Sequence, residues 1–156
     1  MSNLQKVYVI NGPNLNLLGT REPEIYGYDT LADIEQRCQA LGRKNGLDIE
    51  FLQSNHEGSI VDYIQQAIGS VAAIVLNAGA YTHTSVAIHD ALRAYQGYKI
   101  ELHISNPHLR EEFRHLSYVS PASDAVVAGL GVAGYELVIE MLPEILGSKI
   151  KQVEQR

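Results

Sequence analysis

The chain has almost no cysteine: Cys38 is the one thiol in 156 residues. A disulfide framework, or a thiolate-built zinc site within one chain, is thereby excluded. It has no tryptophan and two phenylalanines, so its aromatic bulk rests on nine tyrosines. Positive charge is scarce, with 12 Lys+Arg against 18 Asp+Glu and a net charge of −6. That balance argues against general nucleic-acid binding, which needs clustered cations. The apolar runs fall far short of the ~20 residues that span a bilayer. The opening Met1-Ser2-Asn3-Leu4-Gln5-Lys6 has no basic region leading into an apolar one with a cleavage site. The expectation is a cytoplasmic protein with no nucleic-acid or membrane partner. What the chain does have is 46% apolar and 19% charged residues. At a length near the ~150 typical of one domain, that composition predicts a single packed domain over residues 1–156.

Short apolar runs alternate with helical periodicity. Val7-Tyr8-Val9-Ile10 reads as a buried strand that stops at Asn11-Gly12-Pro13-Asn14. Residues 30–45 read as a helix, with Leu31, Ile34, Cys38 and Leu41 on one face, Asp29 or Thr30 as its cap and Gly46 as its stop. A second strand over 48–52, a helix over 59–68 and a third strand over 71–76 follow. A helix from Thr84 or Ser85 to about Tyr95, strands over 99–104 and 125–128, and a last helix over 134–146 complete the pattern. The polar tail from Lys149 is expected to fray. Continuous Val/Ile/Leu strands between amphipathic helices imply a parallel sheet covered on both faces. Right-handed crossovers then favour an α/β, doubly wound, three-layer sandwich of five strands in the flavodoxin-like order 2-1-3-4-5. One long irregular segment, Asn11 to Asp29, carries two Pro, three Gly and two Tyr and reads as a lid.

In such a sheet ligands bind beyond the carboxyl ends of the strands. Strand one runs into Asn11 and Asn14, strand three into Asn77 and His83, and strand four into His103, Ser105 and Asn106. This set offers donors and acceptors without an acid cluster. It suits a small polyhydroxylated or carboxylated molecule better than a metal ion. Glu101 and His103 are two apart on one strand and share a face, so the carboxylate can set the imidazole's tautomer for proton transfer. A structural ion pair is the alternative. Arg21 and Tyr26 lie in the long loop with Glu22 and Glu24. A tyrosine acting as a base near neutral pH needs its pKa lowered by ~2–3 units, which arginine charges such as Arg21, Arg110 or Arg114 can supply in a dry pocket. An ordinary solvated loop is the alternative there.

Other patterns carry less. Gly129-Leu130-Gly131-Val132-Ala133-Gly134 fits a dinucleotide-binding spacing, but only 22 residues follow and no further strand. Close packing of the last helix explains those glycines. His83 with His89, and His103 with His108, lack helical metal-ligand spacing. A flavin- or phosphate-binding module of the same fold is a rival, although the loop from Gly12 to Asn16 offers few hydroxyl donors.

Three longer blocks carry a resemblance. They are the run from Asn11 to Gly27, the run from Leu76 to Ala87, and Glu101-Leu102-His103-Ile104-Ser105-Asn106 followed by Arg110-Glu111-Glu112-Phe113-Arg114. In order and spacing they resemble the type II 3-dehydroquinate dehydratases over essentially the whole chain. Leu102 stands where that family often has Val, and the stretch from Ser120 to Val127 departs from its pattern. Neither departure is expected to touch a site residue. The resemblance implies loss of water from 3-dehydroquinate through an enolate, by anti elimination and without metal, Schiff base or other cofactor. It implies Tyr26 as the base, Arg21 as the cation beside it, and Asn14 at the enolate oxygen. His103 would be the acid, oriented by Glu101. Asn77, Ile104 and Ser105 would bind around the C1 hydroxyl and carboxylate. His83, Arg114 and Asp90 would hold the ring hydroxyls, and Arg110 would assist the lid. It also implies trimers assembled into a homo-dodecamer, with Asp90 reaching a neighbouring subunit's site.

Overall fold

The computed structural model describes residues 3–154, apart from the side chains of Tyr26 and of residues 149–154. Five strands form one parallel sheet: β1 (Gln5–Asn11), β2 (Leu47–Gln53), β3 (Ala73–Asn77), β4 (Tyr98–His103) and β5 (Ala125–Ala128). Their order is β2-β1-β3-β4-β5, as the alternation of strand and helix implied. The helices are α1 (Pro23–Tyr26), α2 (Leu31–Lys44), α3 (Glu57–Gln66), α4 (Val86–Ala94) and α5 (Ala133–Glu154).

Two cores follow from strand alternation. Val7 and Val9 of β1, Ala73 and Val75 of β3, and Ile100 and Leu102 of β4 face α2 and α5, where Ile34, Cys38, Tyr135 and Leu142 close the layer. Burial pushes the Cys38 thiol up to about 12, so it packs as a small apolar group. Tyr8, Ile10, Ile74 and Leu76 point the other way, onto Ile60 and Ile64 of α3 and Ile88 and Leu92 of α4. The sheet is therefore sandwiched between two helical layers.

Element ends follow local chemistry. Thr30 caps α2 through a reciprocal box with Asp33, its hydroxyl accepting from the Asp33 N–H at 3.1 Å while the Asp33 carboxylate accepts from the Thr30 N–H at 3.0 Å. Ser85 caps α4, accepting from the Ile88 N–H at 2.9 Å. Strand β3 begins at Ala73, later than the apolar run suggests, because the Val71 carbonyl is taken by the Tyr95 hydroxyl. The last helix does not end at Leu146 with a frayed tail from Lys149; it runs on to Glu154. Buried Leu142 and Leu146 hold the turns around Pro143 against the core, and the following Lys, Gln and Glu residues favour helix. Residues 155–156 lie outside the described chain. The segment after β1 is less irregular than expected, holding a 3-10 turn at Leu15–Leu17 and the single turn of α1.

Candidate active site

The carboxyl ends of β1, β3 and β4 open into one cleft, as the topology requires. It encloses about 720 Å³ of space between atoms, open solvent at its mouth included.

The β1 end is built on Gly12. Its N–H donates to the Asn77 carbonyl at 2.8 Å, and any Cβ there would strike the Ala78 carbonyl. Only glycine lets the chain pass so close to β3. Asn14 then takes a left-handed conformation (φ 68°), tolerable for Asn, and its N–H donates to Asn55 Oδ1 at 3.0 Å. Gln53 Nε2, at the end of β2, donates to the Gly12 carbonyl at 3.2 Å. A fourth strand end thus supports the rim that the sequence reading assigned to three.

Behind the rim lies a buried polar knot. The Tyr135 hydroxyl, rising from α5, donates to Asn11 Oδ1 at 2.7 Å and accepts from Asn77 Nδ2 at 3.0 Å. Asn77 Oδ1 accepts from the Gly79 N–H at 3.3 Å. Burial raises the Tyr135 hydroxyl far above its ordinary value, so it stays a neutral bridge. These bonds hold the Asn77 amide in one orientation at the cleft wall.

The next segment brings in His83, whose Nδ1 lies 2.7 Å from the Leu116 carbonyl. A carbonyl only accepts, so Nδ1 carries the hydrogen and Nε2 keeps its lone pair. Burial lowers the His83 pKa; the bond to Leu116 opposes this, while His103 and Arg114 add to the lowering. A neutral imidazole of this kind accepts a hydrogen bond from a ligand hydroxyl.

On β4, Glu101 is 1% exposed. His103 Nε2 lies 2.7 Å from Glu101 Oε1. Burial alone would raise the Glu101 carboxyl, but hydrogen bonds from His103, Ser120 and Ser117 outweigh it and hold the pKa below the usual range. The ionised carboxylate therefore fixes the hydrogen on Nε2 and leaves Nδ1 for exchange with a ligand. Beyond β4, Arg110 Nη1 donates to Ser105 Oγ at 3.3 Å, and Arg114 Nε pairs with Glu111 at 2.7 Å.

Three guanidinium groups, Arg21, Arg110 and Arg114, line the cleft; among the described residues no carboxylate lines it, although Glu22 pairs with Arg21 and Glu111 with Arg110 and Arg114 at its edge. On a protein of net charge −6 this concentrates positive potential at one place, the arrangement that captures a small anion. Leu15 and Leu18 supply an apolar wall.

The structure thus gathers Asn14, Arg21, Asn77, His83, His103, Ser105, Arg110 and Arg114 in one cleft, with Glu101 directly behind His103. Ile104 sends its side chain into the α2/α5 core between two cleft residues, so it can serve only through its main chain. Asp90 is exposed on α4 and is not among the residues lining this cleft. The Tyr26 side chain lies outside the described residues; its main chain closes α1, with the Gly27 N–H donating to the Pro23 carbonyl at 2.8 Å. The expectation that the stretch from Ser120 to Val127 touches no site residue is corrected, because the Ser120 hydroxyl donates to Glu101 Oε2. Asn55, Tyr135, Ser117 and Ser120 were not found from the sequence; each acts on a residue far along the chain. The glycines at 129 and 131 are turn formers with φ of 84° and 63°. Their N–H groups donate to the His103 and Ile104 carbonyls, at 3.3 and 3.0 Å, and so brace the site.

A small parallel α/β protein with an anion-capturing cleft and a carboxylate–imidazole pair at its strand ends is built for acid–base chemistry on a compact polar ligand. The family model for dehydroquinase class II matches residues 5–143. A 3-dehydroquinate dehydratase of Variovorax paradoxus is 58% identical over 144 residues, covering 89% of this chain and 99% of that protein. The crystal structure of the type II dehydroquinase from Butyrivibrio crossotus superposes with a TM-score of 0.87 at 45% identity, covering 89% of this chain and 97% of that one. The corresponding enzyme from Propionibacterium acnes gives 0.88 at 42% identity, over 92% and 99%. The chain belongs to the class II dehydroquinase family.

Proposed function

We propose that this protein is a 3-dehydroquinate dehydratase that removes water from 3-dehydroquinate by acid–base chemistry carried on its own side chains, without a cofactor. The observation that carries this reading is the arginine-lined cleft with an oriented imidazole, in a chain of this family. The substrate is a carboxylated, polyhydroxylated ketone. Its carboxylate suits the neutral donors of the wall formed by Asn77, Ser105 and the main chain at Ile104. Its ring hydroxyls suit the lone pair on His83 and the guanidinium of Arg114.

A proton α to a ketone is weakly acidic, so the reaction needs a base and a stabilised enolate oxygen. Tyr26, as tyrosinate, takes that proton. Arg21 favours the charged phenolate, and Asn14 assists at the enolate oxygen, directly or through a water. His103 then gives a proton to the C1 hydroxyl, which leaves as water by anti elimination as the enolate collapses to the conjugated enone 3-dehydroshikimate. Arg110 secures the loop over the site. Asp90, exposed on α4, completes the ring-hydroxyl contacts in a neighbouring subunit of a dodecamer built from trimers.

Purified protein incubated with 3-dehydroquinate and a chelator, with nothing else added, is expected to form the enone, followed by its ultraviolet absorbance. No product under these conditions, with product on adding a metal or nicotinamide cofactor, would refute the cofactor-free reading. Light scattering tests the assembly. Arg21→Ala should shift the acid limb of the rate profile upward by about one to two pH units, since an adjacent cation lowers an acid's pKa by amounts of that order. An acid limb that does not move would detach Arg21 from the base.

A further inference from the structure

We propose that Ser117 and Ser120 are positioning residues for the acid step: together they clamp the Glu101 carboxylate so that the proton of the Glu101–His103 pair rests on the imidazole. The inference rests on His103 acting as the acid and adds two residues to that site.

The geometry is specific. Glu101 Oε1 accepts from His103 Nε2 and from the Ser117 hydroxyl, each at 2.7 Å. Glu101 Oε2 accepts from the Ser120 hydroxyl. A serine hydroxyl has one hydrogen and two lone pairs. Ser117 Oγ accepts from the N–H groups of Val119 at 3.1 Å and Ser120 at 3.0 Å, which leaves its hydrogen for Glu101. Val119, fully buried in the α3/α4 core, and Ala122 anchor the turn that carries both serines. Two hydroxyls three residues apart are thus aimed at one carboxylate from a rigid support.

A buried carboxylate beside an imidazole can hold one proton in two ways, as carboxylate with imidazolium or as carboxylic acid with neutral imidazole. Burial favours the neutral pair. Hydroxyl donors bond the anion more strongly than the acid and so favour the ion pair. The other ionisable groups of the recess are His83, His108, His115 and Arg114, while β5 offers only the apolar Val126 and Ala128. Among the described residues none of these four hydrogen-bonds Glu101, whose side-chain donors are His103, Ser117 and Ser120.

Ser120→Ala is the main test, because Ser117 also supports backbone N–H groups. A hydrogen bond to a charged group is worth roughly tenfold or more. The expected result is a kcat about tenfold lower and a KM unchanged within about twofold, with the alkaline limb of kcat moved to higher pH, because the unclamped anion holds its proton more tightly. The nitrogen-15 resonances of His103 should move from imidazolium toward neutral imidazole. Ser120→Thr, which keeps the hydroxyl, should restore all three readouts. In a Glu101→Gln background Ser120→Ala should cost nothing further, since there is no charge left to hold. Unchanged kcat and pH profile, or an equal loss in the Glu101→Gln background, would overturn the clamp. If His103→Ala itself kept full activity, the acid assignment would fail instead, so the two failures are separable.

Discussion

Tyr26→Phe is expected to lower kcat by about 10²–10⁴, the usual contribution of a positioned base, with KM within about threefold of the parent. The argument starts from the cost of ionising a phenol. Its ordinary pKa of ~10 must fall by ~2–3 units for tyrosinate to be present near neutrality, a cost of ~3–4 kcal/mol. In the proposed mechanism the guanidinium groups that line the cleft, Arg21 foremost, would offset it. The α1 turn carrying Tyr26 starts two residues after Arg21, so base and cation share one short stretch of loop. Phenylalanine keeps the ring and removes only the ionisable oxygen. Enolate formation can be read apart from dehydration by following exchange of the substrate's α-proton with deuterium oxide. Tyr26→Phe should abolish this exchange. Exchange and kcat both near parental values would place the base elsewhere.

His103→Ala should lower kcat by a similar factor of about 10²–10⁴, for a different reason. Hydroxide is a poor leaving group, and the enolate cannot expel it readily without a proton donor. His103 lines the cleft with a side chain 11% exposed, held through Nε2 by a carboxylate that is ionised and buried. The variant lacks the acid but retains the base. It should therefore still exchange the α-proton while failing to release water. Opposite phenotypes in the exchange assay separate the two roles more sharply than two slow enzymes would. Parental turnover in His103→Ala would return the Glu101–His103 pair to a purely structural ion pair. A variant that also lost exchange would show that the imidazole supports enolate formation as well.

Much of this was legible before any coordinates. The alternation of Val7, Tyr8, Val9 and Ile10 with the spacing of Ile34 and Cys38 was enough for strand, helix and layer, because burial follows the period of each element. Strand order followed from handedness, and the rim residues from where the strands stop. Glu101 and His103 were paired correctly because a strand places residues two apart on one face. The element ends were less legible. The last helix runs beyond Leu146 to Glu154 because buried Leu142 and Leu146 anchor its preceding turns, so that the Lys, Gln and Glu residues that read as a polar tail continue a helix they favour.

By itself the amino-acid order determined the parallel sandwich, the cleft's location and most of the side chains that line it, since these depend on period, turn chemistry and short spacings. Only the tertiary structure decided how those side chains are held. Tyr135 meets Asn11 across 124 positions, and Ser117 and Ser120 meet Glu101 across 16 and 19. Such contacts carry no local periodic signal: they arise when helix and turn dock on the sheet, and the polar groups buried by that docking must find partners where the fold happens to bring them.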